Sequence, residues 1–179
     1  MVKSAYSFAT KKEKIESHII VVWVDNEAGV LARVIGLFSG RGYNIDSLAV
    51  AEVDKKKNIS RITIATSGTP QVLQQIKSQL GKLVPVHKVA DFPQNKKTLM
   101  REMALLKIIS SKTQLEKANK LCKKYKCIIL DKTEKSFVFE VSALKKEVDE
   151  LIKKLQTMGL ASASRTGIVA MTKGSKIFK

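Results

Sequence analysis

The chain has few of the side chains from which metal centres and nucleophilic sites are built: two cysteines and two histidines in 179 residues. Cys122 and Cys127 lie close in sequence, but His18 and His87 are too distant to complete a four-ligand zinc pattern, so no metal ligand is assigned. The cysteines fall at a helix end and a strand start, and are read as ordinary thiols of a reducing compartment rather than a disulfide or redox pair. Ser39, Cys122, Cys127, His18 and His87 form no recognisable nucleophile–base order, and Gly36, Gly40 and Gly42 match no dinucleotide fingerprint. No catalytic residue and no cofactor site follow from the sequence. Long apolar runs are missing too: the longest, Ile19–Val24, has the length of a strand, whereas a bilayer span needs about 20 apolar residues. Met1–Ser17 has no apolar signal core and reads as a flexible tail, which with the free-thiol reading favours a cytoplasmic location; a transit-like role fits Glu13 and Glu16 poorly.

Basic charge is abundant. The formal net charge is +17, and a basic surface gathers polyanions by counterion release. Only five of the 33 basic residues are arginine, the side chain whose fork suits phosphates and base edges. The lysines are spread along the chain, as in Lys55-Lys56-Lys57, Lys123-Lys124 and Lys153-Lys154, which fits a solvated surface better than a nucleic-acid footprint. With 44% hydrophobic residues there is material for a core, and the length admits two small domains.

Apolar periodicity alternates between two and 3.6 residues in a repeating order. The first unit reads strand His18–Val24, helix Val30–Ser39, strand Ile45–Glu52, strand Ile59–Thr66, helix Pro70–Gly81 and strand Val84–Asp91. Gly40 and Gly42 stop the first helix, and Thr69 with Pro70 starts the second. A polar link, Pro93–Lys97, precedes a second unit: strand Leu99–Ser110, helix Thr113–Lys124, strand Lys126–Asp131, strand Ser136–Ser142, helix Leu144–Met158 and strand Leu160–Met171. The fold class is therefore α+β, with two ferredoxin-like βαββαβ domains spanning 18–95 and 96–179 after the tail 1–17. Each sheet carries two helices on one face and leaves the other uncovered, which predicts a sheet-packed or edge-paired dimer.

The turn Asp25-Asn26-Glu27-Ala28-Gly29-Val30-Leu31 leads from the first strand into the first helix, where exposed N–H groups can hold a small anion. Gly29 permits close approach to the backbone, and Asn26 or Asp25 is placed to cap the helix. A capped tight turn and a carboxylate site suit this spacing equally. Asn44, in the turn before the next strand, has both donor and acceptor groups for a carboxylate or an ammonium, or for its own backbone. Arg33 and Arg41 read as surface charges, Tyr43 and Trp23 as packing residues.

Residues 25–34, with Gly36-Leu37-Phe38 and Arg41–Leu48, closely resemble the ACT domain of the acetohydroxyacid (acetolactate) synthase small subunit. The resemblance continues through Ser60–Ile64, Arg101–Ile108 and Arg165–Ala170, covering residues 18–178. It implies a non-catalytic regulatory subunit that binds and activates a catalytic subunit carrying thiamine diphosphate, Mg2+ and FAD. It also implies valine feedback inhibition in branched-chain amino-acid synthesis. By resemblance, Asn26, Gly29, Val30 and Leu31 of one chain contact valine, and Asn44 and Ile45 join them across a homodimer. The sequence departs from the family pattern at Asp25, Ala28 and the Lys55–Asn58 loop, none of which removes a ligand group. The competing reading is a basic RNA-binding protein with two RRM-like modules, in which Phe137 and Phe139 would stack bases; the strand lacks the full aromatic and glycine pattern and Ile59–Thr66 has no aromatic, so core or subunit packing is the preferred reading of the pair.

Overall fold

The computed structural model describes residues 15–92 and 98–175, so Met1–Lys14 of the tail and the Pro93–Lys97 link lie outside the described residues. The first unit comprises β1 (Glu16–Asp25), α1 (Val30–Ser39), β2 (Ser47–Asp54), β3 (Ile59–Gly68), α2 (Pro70–Leu80) and β4 (Val86–Phe92). Its sheet runs β2-β3-β1-β4 with antiparallel neighbours. β1 begins at Glu16, inside the segment read as tail, because Glu16 and Ser17 still pair with Gly68 and Ser67 of β3.

The second unit repeats the order with β5 (Thr98–Ile109), α3 (Lys112–Lys124), β6 (Ile128–Lys132), β7 (Ser136–Ala143), α4 (Lys145–Gln156) and β8 (Leu160–Arg165), in the sheet order β6-β7-β5-β8. A last strand, β9 (Val169–Thr172), has no counterpart among the described residues of the first unit.

Helices form where an apolar stripe meets a sheet. Val30, Val34, Leu37 and Phe38 of α1, with Leu73, Ile76 and Leu80 of α2, are buried against the first sheet. Thr69 caps α2 as expected, its side chain accepting from the Val72 N–H, with Pro70 at the first helical position. In the second unit Leu115, Ala118 and Cys122 of α3 and Val148, Leu151 and Leu155 of α4 share a core with Leu106 and Phe139.

Two expectations are corrected. The strand expected over Leu160–Met171 is two strands, broken at Thr166–Ile168. Gly167 takes φ +80, and the Ile168 N–H donates to Ser47 Oγ of the first unit (3.1 Å) instead of a ladder partner. A Cβ on residue 167 would stand 3.1 Å from the Leu48 carbonyl oxygen, so the close approach of the units also favours glycine. The first sheet's second face is not uncovered. The N-terminal end of β5 (Thr98–Arg101) pairs with β9 as a two-stranded ribbon, and Ile168 and Ala170 pack with Ile19, Val21, Ala65 and Phe92 of the first sheet. Apolar residues on that face found their partner within the same chain.

A buried ion pair holds the point where β5 changes partners. Glu102, only 3% exposed, takes both Nε and Nη2 of Arg165, and Arg165 Nη1 donates to Asp149 of α4 (2.6 Å). The fork geometry suits a carboxylate that has lost nearly all contact with water, and it holds the Arg165 guanidinium protonated beyond its usual range.

Candidate functional site

The β1–α1 turn enters its helix through Gly29, which has φ +83, a left-handed conformation that glycine adopts without penalty. The helix's own bonding starts with the Arg33 N–H donating to the Gly29 carbonyl (3.0 Å). Of the preceding amides, the Val30 N–H donates to the Glu27 carbonyl (3.3 Å), which leaves those of Gly29, Leu31 and Ala32 as the donors a helix cannot satisfy internally. Gly29 and Leu31 are exposed, whereas Val30 is buried in the first core, so the turn offers backbone donors beside an apolar side chain.

Asn26 and Asp25 do not cap α1, which has no side-chain cap. The strand pairing pulls both the other way. Asn26 N–H donates to the Asn58 carbonyl (2.8 Å), Asn58 Nδ2 donates to the Asn26 carbonyl (3.3 Å), and Ser60 Oγ donates to Asn26 Oδ1 (3.0 Å). With Oδ1 engaged, the Asn26 side chain presents its Nδ2 group as a donor. Asp25 Oδ1 pairs with His87 Nε2 (2.6 Å) on the far side of the turn. Asn58, Ser60 and His87 were missed by sequence reasoning. A polar residue opening β3 opposite the turn was the available signal for Ser60.

Asn44 and Ile45 lie at the opposite end of α1, about 15 Å away along a ten-residue helix. The structure therefore keeps Asn26, Gly29, Val30 and Leu31 together and Asn44 with Ile45 together, and does not unite the two groups within one chain. Asn44 Nδ2 donates to Asp46 Oδ1 (2.6 Å), and its backbone carbonyl accepts from Thr66 Oγ1 (2.6 Å). That arrangement engages one Nδ2 hydrogen of Asn44, and Oδ1 is the acceptor that the side chain presents. The two asparagines are thus oppositely polarised, one a donor and the other an acceptor beside a carboxylate.

Beyond these groups, β2 is an edge strand with Val50 and Val53 exposed at 44% and 52%. An apolar groove of about 520 Å³ runs along it, lined among others by Leu48, Val50, Arg61, Thr166 and Val169. Arg61 closes the groove's inner side, its guanidinium 5.4 Å from the Trp23 ring centre and donating to the Ala170 carbonyl. Burial lowers its proton affinity.

Phe137 and Phe139 face the helices, at 5% and 1% exposure, with ring centres 5.8 Å apart. They form core instead of a base-stacking platform, which removes the main support for the RNA reading. Among the described residues no group of three or more His, Cys, Asp or Glu side chains is placed to hold a metal, and no helix is long and apolar enough to cross a membrane.

Residues 20–88 match the family model described as "AHAS small subunit-like ACT domain", and residues 101–174 match "Small subunit of acetolactate synthase". The chain belongs to the acetolactate synthase small-subunit family. It is 35% identical over 159 residues to the probable acetolactate synthase small subunit of Archaeoglobus fulgidus, covering 89% of this chain and 98% of that one. To the isozyme 3 small subunit of Escherichia coli it is 35% identical over 162 residues, with 90% and 98% covered. The crystal structure of the acetolactate synthase small subunit from Thermotoga maritima superimposes with a TM-score of 0.81 at 31% identity, covering 89% of this chain and 99% of that one. The ACT-domain match spans both halves of the candidate site, from Asn26 to Ile45.

Proposed function

We propose that this chain is the regulatory subunit of an acetolactate synthase, activating its catalytic subunit and reporting valine to it. The observation that carries the effector reading is the opposite polarisation of the two asparagines. A free amino acid needs donors for its carboxylate and acceptors for its ammonium. The amides of Gly29 and Leu31 with Asn26 Nδ2 supply the first, and Asn44 Oδ1 beside Asp46 supplies the second. Because the groups sit at opposite ends of α1, a complete site requires a second copy of the chain. The open edge of β2, with Val50 and Val53 exposed, supports pairing of two first units side by side. Val30, Leu31 and Ile45 would enclose an aliphatic side chain. Thiamine diphosphate, Mg2+ and FAD would reside on the catalytic subunit.

Inhibition then requires that valine bind the less active state of the assembly more tightly. Ser47 follows Asn44 and Ile45 closely and receives the Ile168 N–H of the second unit, so a shift at the paired edge reaches the second unit through that junction. The test is acetolactate formation by the catalytic subunit with and without this chain across a valine titration. Activation and inhibition are both expected, and a valine-indifferent rate rejects the effector role. Gly29→Asp introduces a carboxylate beside the ligand's own; at about 4 Å and an effective dielectric of about 20 the repulsion reaches about 4 kcal/mol. A Cβ at this position meets nothing within 4 Å, although the φ of +83 strains any residue but glycine, so the variant is first checked for folding by circular dichroism, and the folded protein should lose valine binding in calorimetry. Unchanged affinity in the folded variant would overturn the placement.

A further inference from the structure

The first helix of each unit ends in the same hydrogen-bonded turn. At the end of α1 the Tyr43 N–H donates to the Phe38 carbonyl (3.0 Å) and the Gly42 N–H to the Ser39 carbonyl (3.2 Å). At the end of α3 the Cys127 N–H donates to the Cys122 carbonyl (3.1 Å) and the Lys126 N–H to the Lys123 carbonyl (3.1 Å). Both are Schellman turns, with Gly42 (φ 67) and Lys126 (φ 57) in the left-handed position. This turn brings the side chains on either side of the outer bond into contact. In the first unit they are Phe38 and Tyr43, whose rings meet edge to face at 6.2 Å. In the second unit the same two positions hold the chain's only cysteines.

The Cys127 side chain packs against the buried cluster that contains Cys122. Cys122 is 1% exposed and part of the second core, whereas Cys127 is partly open to solvent. The neighbouring Cys122 side chain lowers the proton affinity of Cys127, while that of Cys122 rises because of Cys127 and burial. Both thiols are free, as the sequence reading expects, and the turn sets them side by side.

We propose that Cys122 and Cys127 form a redox-reactive dithiol, oxidised to an intramolecular disulfide by a low-molecular-weight disulfide such as oxidised glutathione. Cys127 thiolate attacks one sulfur of the oxidant, forming a mixed disulfide and releasing one thiolate. Cys122 gives its proton to solvent and attacks the Cys127 sulfur, closing the protein disulfide and releasing the second thiolate. Two electrons pass from the protein and one oxidant molecule becomes two thiols. The product fastens the end of α3 to the residue before β6 across Lys126, a non-glycine residue with a positive φ.

The full-length protein, equilibrated in glutathione buffers of graded redox ratio and quenched with an alkylating reagent, is read by intact mass. The expected oxidised product is two hydrogens lighter and has no alkylated cysteine. Cys122→Ser should stop at a glutathione adduct on Cys127. In Cys127→Ser, Cys122 should be alkylated at least about tenfold more slowly than Cys127 in the other variant, because it is buried. A wild-type protein that stops at the glutathione adduct, or that stays fully reduced at the most oxidising ratio, overturns the proposal. So does equal reactivity of the two single cysteines. The experiment needs no valine and no catalytic subunit, so its outcome is independent of the effector reading.

Discussion

The two units share one strand order yet solve different burial problems, and their central strands record the difference. β1 of the first unit carries Ile19, Ile20, Val21 and Val22 in succession, all 0% exposed. The helices cover Ile20 and Val22, and the β5–β9 ribbon faces Ile19 and Val21. β5 of the second unit alternates instead: Ala104, Leu106 and Ile108 are buried, while Met103 and Leu105 are half-buried and Lys107 is exposed. A strand covered on both faces reads as a continuous apolar run, and one covered on a single face reads as an alternation. The first unit therefore has two apolar layers, and the second contributes the ribbon that makes one of them.

The largest test of this contrast compares Ile19→Ala with Leu105→Ala. Removing Ile19 from a fully buried layer should cost about 2–5 kcal/mol, while the half-exposed Leu105 should cost less than about 1.5 kcal/mol. Urea denaturation measures both, and equal losses would mean that the ribbon does not seal the first sheet. Arg61→Ala comes next. It removes the hydrogen bond to the Ala170 carbonyl and the contact with Trp23, for a loss of about 1–3 kcal/mol. A loss near zero would show that the ribbon is held by its apolar residues alone. The smallest effect, of opposite sign in the two units, exchanges the left-handed residues of the Schellman turns. Gly42→Lys should destabilise by about 1 kcal/mol and Lys126→Gly should stabilise by a similar amount, read as shifts in the denaturation midpoint. Destabilisation by Lys126→Gly would show that the lysine side chain has a role beyond its backbone conformation.

Much of the fold was legible because its causes are local. α1 runs from Val30 to Ser39 as its apolar stripe predicts, and Thr69 with Pro70 starts α2. Most of the misreadings involve distant partners. The strand after α4 was read without its break because Leu160–Met171 is interrupted by a contact to Ser47, 121 residues from Ile168. Gly40 and Gly42 both looked like left-handed stops, but only Gly42 takes a positive φ, since Gly40 still continues the right-handed turn. At the candidate site the residue types were readable, but their orientation was not. Asn26 was placed as a helix cap, and its side chain is instead drawn to Ser60, 34 residues away. The aromatic pair Phe137 and Phe139 showed the right alternation for an exposed platform, and only packing decided that this face lies under α3 and α4.

The sequence by itself determined the order of elements, the family, and the presence of a glycine-entered helix turn with an asparagine on either side of α1. Those features follow from periodicity, turn chemistry and motif, each set within a few neighbouring residues. Only the tertiary structure decided which atom each asparagine presents, what covers the second face of the first sheet, and which turn brings Cys122 and Cys127 into contact. Each of these depends on hydrogen bonds and burial between groups whose nearness is created by folding, and no local pattern records which distant partner will satisfy a polar group or cover an apolar one.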